Sequence, residues 1–251
     1  MDTTLIGTQV PTCRKEDQLD AVSTAIKTNK KTLILSGNVY SYNLAYSNRW
    51  LRDFLNRADI VRLDGAGIRL GARILGYDTP RRATWAEFAW DLAEFTETNK
   101  YTLFLLGAKP HIVEAAGDCL KARFPDLRIV GIHHGYFDKT PGSAENEAVI
   151  AQINAVKPNI LIVGFGMPLQ ERWLMENWDR IDANVALTGG AVFDYVSGEL
   201  KRAPRWMTDH GLEWLGRLII EPRRLWKRYI IGNPLFLWRV LKQRLGLLKL
   251  D

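Results

Sequence analysis

Asn159-Ile-Leu-Ile-Val-Gly164-Phe-Gly-Met-Pro-Leu-Gln-Glu171 is a short apolar run, a closing glycine and then a helical pattern over Leu169 to Trp178. The same sentence recurs along the chain. Thr32-Leu-Ile-Leu-Ser-Gly37 precedes a helix predicted around Tyr42 to Asn56, and Ile60-Val-Arg-Leu-Asp-Gly65 precedes Ile68 to Leu75. Thr102-Leu-Phe-Leu-Leu-Gly107 precedes Pro110 to Phe124, where Pro110 suits a first helical turn. Leu127 to Ile132 reads as a strand, and Ala144 to Val156 as a helix with Ile150, Ile153 and Val156 on one side. Asn184-Val-Ala-Leu-Thr-Gly189 closes the series. Short apolar strands alternating with helices predict an α/β, Rossmann-like fold, a largely parallel sheet flanked by helices. Ligands in such sheets bind beyond the carboxyl ends of the strands. That puts Ser36-Gly-Asn38, Asp64-Gly-Ala-Gly67, Gly107-Ala-Lys-Pro110, Gly164 to Glu171 and Thr188 to Asp194 along one edge.

The far end of the chain has a different character. From Leu200 to Asp251 there are twelve Lys/Arg against four Asp/Glu, a net of +8 in a chain of +6, so the first 199 residues are slightly acidic. Four of the nine tryptophans (Trp206, Trp214, Trp226, Trp238) lie there too. Arg and Trp interleaved with Leu and Ile suit a surface that meets anionic headgroups, rather than a merely solvated basic tail. The division expected is a catalytic body over 1–199 and a basic, amphipathic helical appendage over 200–251, with the boundary within Gly198 to Arg205. Arg217, Glu221, Arg224 and Arg228, spaced four, three and four, share one helical face. Asn233-Pro234 is expected to cap and open a second amphipathic helix carrying Leu237, Trp238, Leu241, Leu245 and Leu248.

Composition is ordinary for a chain of 251 residues with a real core: 47% hydrophobic and 25% charged. Cys13 and Cys119 are the only thiols, far apart and outside any Cys-x-x-Cys, which argues against a disulfide framework or zinc site. The N-terminus has no basic region followed by a long apolar one, and Arg239 and Lys242 interrupt the best candidate for a spanning helix. A cytoplasmic protein, peripheral on the inner face of the plasma membrane, is expected.

Gly164-x-Gly166 before a helix suggests a dinucleotide fingerprint, but Leu169 holds the place of its third glycine, and Asp182 precedes the next strand instead of ending it. An NAD-linked oxidoreductase is thereby disfavoured, and no cofactor is expected. Backbone N–H groups at such a helix start can still receive a phosphate. Asp64, at a strand's carboxyl end before Gly65-Ala-Gly67, can act as a general base or as a helix N-cap, and position alone leaves these even. Asp194 is the second candidate carboxylate. Gln170 and Glu171 begin a helix, where they bind sugar hydroxyls or simply occupy the first turn. His133 and His134 lack metal-ligand spacing to another histidine and read as structural. No Asp-x-Asp pair exists in the chain, so no metal is expected, and leaving-group charge falls to arginines and helix N-termini. The tail can supply those arginines. The remaining rival is a nucleic-acid-binding module using the basic tail; the acidic body and the leucine- and tryptophan-rich tail rank it last, and no nucleic-acid partner is expected.

Together these pieces resemble the WecG/TagA/CpsF family, family 26 among glycosyltransferases. The resemblance runs in order through Asp64-Gly-x-Gly67, Gly107-x-x-Pro110, Gly135-Tyr-Phe137, Gly164-x-Gly-x-Pro-x-Gln-Glu171, Gly189-Gly-x-x-Phe-Asp194, Arg202-Ala-Pro204, Gly211-Leu-Glu-Trp214, Glu221-Pro-x-Arg224 and Arg228-Tyr229. It implies an inverting, metal-independent enzyme moving a sugar from a UDP donor to a sugar on polyprenyl diphosphate in the cytoplasmic leaflet. Family members build teichoic acid linkage units, enterobacterial common antigen and exopolysaccharide repeat units. The donor stays open between UDP-N-acetylmannosamine, its uronic acid and UDP-glucose, as does homo-oligomerisation. By matching position, Asp64 is the base, Ser36 and Asn38 line the site, Gln170 is a pocket polar residue, and Arg217, Arg224 and Arg228 close over the pocket on the diphosphate. Gly107, Gly164, Gly166 and Asp194 complete the expected substrate-binding set. Ser36 replaces the family's usual threonine and keeps its hydroxyl. Arg82-Ala-Thr-Trp85 stands where the family has Arg-Val-x-Gly, so Trp85 puts an indole in place of a glycine.

Overall fold

The computed structural model describes residues 4–80 and 84–249. In chain order its elements begin with β1 (Thr4–Leu5), β2 (Thr8–Gln9), α1 (Lys15–Lys27), β3 (Thr32–Gly37), α2 (Val39–Ser47), α3 (Arg49–Arg57), β4 (Ile60–Leu63) and α4 (Ala66–Ile74). Then come α5 (Trp85–Thr98), β5 (Thr102–Gly107), α6 (Pro110–Arg123), β6 (Arg128–His133), α7 (Ala144–Val156), β7 (Ile160–Gly164), α8 (Leu169–Asn177), β8 (Val185–Thr188) and α9 (Val192–Val196). The tail holds α10 (Arg205–Asp209), α11 (Glu213–Ile220), α12 (Pro222–Trp226), a π-helical turn (Lys227–Ile231) and α13 (Gly232–Arg244). A six-stranded parallel sheet, in the order β4-β3-β8-β7-β5-β6, is flanked by helices, the Rossmann-like arrangement expected.

Two compact units divide the chain. One takes Lys15–Leu35 and Trp85–Leu200; the other takes Met1–Arg14, Ser36–Thr84 and Lys201–Asp251. The cut differs from one at residue 200, because the tail falls in the same unit as residues 36–84. Strand β3 passes from the first unit to the second at Leu35/Ser36.

The first unit is built on strands that are apolar throughout because helices cover them. β5 and β7 lie in register from Leu103 opposite Ile160 to Gly107 opposite Gly164, and Leu103 to Leu106 and Ile160 to Val163 are all buried. Helix α8 is locked by buried polar bonds. Trp173 Nε1 donates to Asn146 Oδ1 on α7 at 2.7 Å, Asn146 Nδ2 to Asn177 Oδ1 at 3.1 Å, and Asn177 Nδ2 to the Trp173 carbonyl at 2.8 Å. With no solvent to substitute for these partners, the network fixes where the first turn of α8 sits.

In the second unit the helix predicted over Tyr42 to Asn56 is two helices. Asn48 is extended (φ −129°), and its Nδ2 donates to the Leu44 carbonyl at 2.8 Å, closing α2 before α3 starts. The tail breaks earlier than expected. Pro222 has no N–H to offer and pushes Glu221 out of the helical region (φ −128°, ψ 57°), so the interruption falls there. Asn233-Pro234 lie inside the helical run that follows, with no side-chain cap at the start of α13. Helix α13 packs on α2 and α4. Phe236 and Val240, one turn apart, are fully buried, and a Cβ on Gly71 of α4 would come within 2.8 Å of the Phe236 ring. Gln243, one turn further, donates to the Thr4 carbonyl at 2.7 Å and accepts from the Ile6 amide at 2.6 Å. The apolar residues on the other side, Trp238, Leu241 and Leu245, are exposed. Among the described residues no helix is long and apolar enough to cross a membrane.

Candidate active site

In the unit that carries the tail, the ends of β3 and β4 meet. The Asp64 amide donates to the Gly37 carbonyl at 2.9 Å. Asn38 caps α2: its Oδ1 accepts from the Tyr40 and Ser41 amides at 3.0 and 3.1 Å, and Ser41 Oγ accepts from the Asn38 amide at 2.8 Å. This capping box anchors the backbone beside buried Ser36. Asp64 has no such task. Helix α4 has Gly65 as its N-cap, at φ +124°, with no side-chain capping bond, so the half-exposed Asp64 carboxylate stands one residue outside the helix. Of the two readings open from sequence, the N-cap is not the one seen.

Beneath it, Arg62 is fully buried. Arg62 is on β4 and Asp64 is one residue past its end, near enough for the two charges to act on each other. Burial pushes the guanidinium down to about 10, with the Asp64 charge acting against that shift.

The tail brings its arginines to the same unit. Arg217 Nη2 lies 3.3 Å from Glu221 Oε2, and Arg224 Nε donates to Glu221 Oε1 at 2.7 Å. Hydrogen bonding from Arg224, then the charges of Arg224 and Arg217, hold the Glu221 carboxyl below its ordinary range. Arg228 stands 4.8 Å over the ring of Tyr40, two residues beyond Asn38. Its buried Nε has no hydrogen-bond partner among the described residues. Gly211 sits against Ala66, directly after Asp64-Gly65; a Cβ on it would approach the Ala66 Cβ to 2.9 Å.

The other unit holds the remaining expected residues. Gly107 ends β5 at φ +149°, and a Cβ there would lie 2.4 Å from the Gly164 carbonyl oxygen, so only glycine lets the β5 and β7 ends touch. The Ala108 amide donates to that same Gly164 oxygen at 3.1 Å, and the Gly166 carbonyl accepts from the Gln170 amide at 3.1 Å. Asp194 lies in α9, half-exposed, after the Gly189-Gly190 turn.

Gln170 is only 1% exposed, and it joins a backbone amide to the neighbouring Glu171 side chain. Its Oε1 accepts from the Gly190 amide at 3.0 Å, and its Nε2 donates to Glu171 Oε1 at 2.8 Å. Glu171 is fully buried, and its Oε2 has no hydrogen-bond partner among the described residues. Burial pushes this carboxyl from 4.5 up to about 7. The folded state therefore holds the proton more tightly than the unfolded chain. Relative to acid pH, stability should fall as pH rises from about 4.5 and level off above about 7. The loss is on the order of 3 kcal/mol. Glu171→Gln should flatten that part of a urea-unfolding pH profile; an unchanged profile would show that Glu171 stays charged or exposed.

Trp85 begins α5 inside the core of this unit. Its Nε1 donates to the Thr188 carbonyl at the end of β8 at 2.9 Å, and its ring meets Phe88 edge-on at 5.5 Å. The Trp85 indole is thus a buried strut at the β8 end. Arg82 and Ala83 lie outside the described residues. The rings of His133 and His134 lie 4.6 Å apart, tilted by 41°, and among the described residues no group of three or more His, Cys, Asp and Glu side chains is placed to hold a metal ion.

Two residues escaped the sequence reading, Arg62 and Tyr40, and the burial of a third, Glu171, was not foreseen. Glu171 left a signal, since it sits three residues before buried Leu174 and so on the core side of α8. Tyr40 left none, because its partner Arg228 is 188 residues away.

Asp64 thus stands past the end of β4, with the tail arginines on helices of the same unit. Residues 3–249 match the Glycosyl transferase WecG/TagA/CpsF family, and the chain belongs to that family. It is a glycosyltransferase. It is 28% identical over 220 residues to the N-acetylglucosaminyldiphosphoundecaprenol N-acetyl-beta-D-mannosaminyltransferase of Staphylococcus aureus strain NCTC 8325, a stretch covering 88% of this chain and 84% of that protein. The protein of the same description from strain MRSA252 is 27% identical over the same coverage.

Proposed function

We propose that this glycosyltransferase moves a sugar from a UDP donor, with inversion and without a metal ion, to a sugar carried on polyprenyl diphosphate at an anionic membrane surface. The observation that carries the reading is Asp64: a half-exposed carboxylate at a strand end, held by its own backbone and not spent on a helix cap. Asp64 takes the proton of the acceptor hydroxyl as that oxygen attacks the anomeric carbon. The bond from that carbon to the UDP oxygen breaks, and UDP leaves with the electron pair. Arg228, with Arg217 and Arg224 gathered on Glu221, meets the growing negative charge. A β-linked product made from an α-linked nucleotide donor requires inversion, and the relatives' description names a β-D-mannosaminyl group. It also names N-acetylglucosaminyldiphosphoundecaprenol, which favours N-acetylmannosamine among the three donors and N-acetylglucosamine as acceptor.

Support for membrane contact comes from the tail alone. Ile219, Trp226, Ile230, Trp238 and Leu245 are exposed, and Lys227 and Lys242 lie over the rings of Trp226 and Trp238 at 5.6 and 5.4 Å. Large apolar side chains with cations at their edges suit the headgroup layer that holds a lipid-linked acceptor. Family membership displaces the oxidoreductase and nucleic-acid readings. The test is transfer from a panel of UDP-sugars to N-acetylglucosamine on a short prenyl diphosphate, with no transfer from any of them counting against the reading.

A further inference from the structure

We propose that Glu171 is a positioning residue: its carboxylate holds the Gln170 amide in the orientation that fixes the Gly189-Gly190 turn at the end of β8. The inference rests on the proposed glycosyl transfer and on the expectation from sequence that Gly164, Gly166 and Asp194, at the ends of β7 and β8, bind the UDP donor. Gly190 N–H can only donate, so the amide atom facing it must be Oε1, at 3.0 Å. That choice turns the Gln170 NH₂ toward Glu171, whose Oε1 accepts at 2.8 Å. An acceptor oxygen at this place pairs with the NH₂ and faces the oxygen of a flipped amide acceptor to acceptor. Neither side chain has water to fall back on, at 1% and 0% exposure. The first turn of α8 cannot rotate to compensate, because the Trp173, Asn146 and Asn177 bonds hold the helix. As a core residue alone, a carboxylate with one buried oxygen lacking a hydrogen bond is a poor choice.

The turn so held leads into α9 and Asp194. Its backbone also approaches β7: a Cβ on Gly164 would lie 3.0 Å from the Gly190 carbonyl oxygen. A loosened turn should therefore reach the donor and leave the lipid acceptor alone.

Three proteins decide it: wild type, Glu171→Met, which keeps the length and loses the acceptor, and Glu171→Gln, which keeps the acceptor. Glu171→Met should raise KM for the UDP-sugar and Kd for UDP about tenfold, with KM for the lipid acceptor within twofold. Amide hydrogen exchange in residues 188–194 should speed up, while β7 stays protected. Glu171→Gln should restore donor KM and exchange to within about threefold of wild type. The inference is overturned if Glu171→Met keeps wild-type donor KM and exchange, if Glu171→Gln loses as much as Glu171→Met, or if Glu171→Met does not fold, which would make the residue purely structural. A wild-type protein that neither binds UDP nor transfers sugar would sink the functional reading instead, and the exchange arm would still report whether Glu171 orders the turn.

Discussion

Asp64→Asn is expected to lower the transfer rate by about 10² to 10⁴ while leaving UDP affinity and thermal stability near wild type, the usual span for loss of a general base. The amide matches the carboxylate in shape but cannot accept the acceptor's proton. Fold should be spared because Asp64 is attached by its backbone amide to Gly37 and its side chain caps nothing. One complication is internal. Asparagine leaves the buried Arg62 without the opposing charge of Asp64, so some stability can be lost. Thermal unfolding run beside the kinetics separates the two effects. Turnover within a few-fold of wild type would move the base elsewhere, with Asp194 the next carboxylate to test.

Trp226→Ser, Ile230→Ser and Trp238→Ser combined should weaken binding to phosphatidylglycerol-containing vesicles by about a hundredfold or more. Each exposed side chain that enters the acyl boundary contributes up to about 1.5–3 kcal/mol, and each 1.4 kcal/mol is tenfold. None of the three is buried in the fold, unlike neighbouring Leu225, Tyr229 and Phe236, so the folded unit should survive. Raising salt should weaken wild-type binding as well, since each Lys or Arg near an anionic surface contributes on the order of 1 kcal/mol. Co-sedimentation reads both effects. Equal sedimentation of the triple variant and wild type would end the membrane assignment of this face, and indifference of wild type to anionic vesicles at low salt would end it sooner.

The sheet was legible because its strands are short, apolar throughout and closed by glycine, a pattern that survives without knowing any partner. Strand order was not legible, since a crossover connection carries no mark of which strand it returns beside. Helix α5 has its buried residues at Trp85, Phe88, Ala89, Leu92, Ala93 and Thr96, an amphipathic spacing visible in principle, but no glycine-ended strand precedes it to announce it. The tail was legible as amphipathic and not as two-sided. Phe236 and Leu245 are alike in composition terms, yet one is fully buried and the other 69% exposed. Which face turns inward depends on Gly71 leaving room in α4, a contact 165 residues away in sequence. At the site, Asp64 could be located but not relieved of capping until Gly65 was seen in that place. Gln170, expected as a pocket polar residue, is buried and joins the Gly190 amide to the Glu171 carboxylate, bonds that nothing in its local sequence reveals.

The central claim is inverting, metal-free transfer to a lipid-linked sugar, and one reaction tests it most directly. Full-length protein would be incubated with UDP-N-acetylmannosamine and N-acetylglucosamine on a short prenyl diphosphate in excess EDTA, and the product's anomeric configuration read by NMR. The account predicts a β-linked disaccharide formed at the rate seen without chelator. An α-linked product, or activity that EDTA abolishes and Mg²⁺ or Mn²⁺ restores, would contradict it.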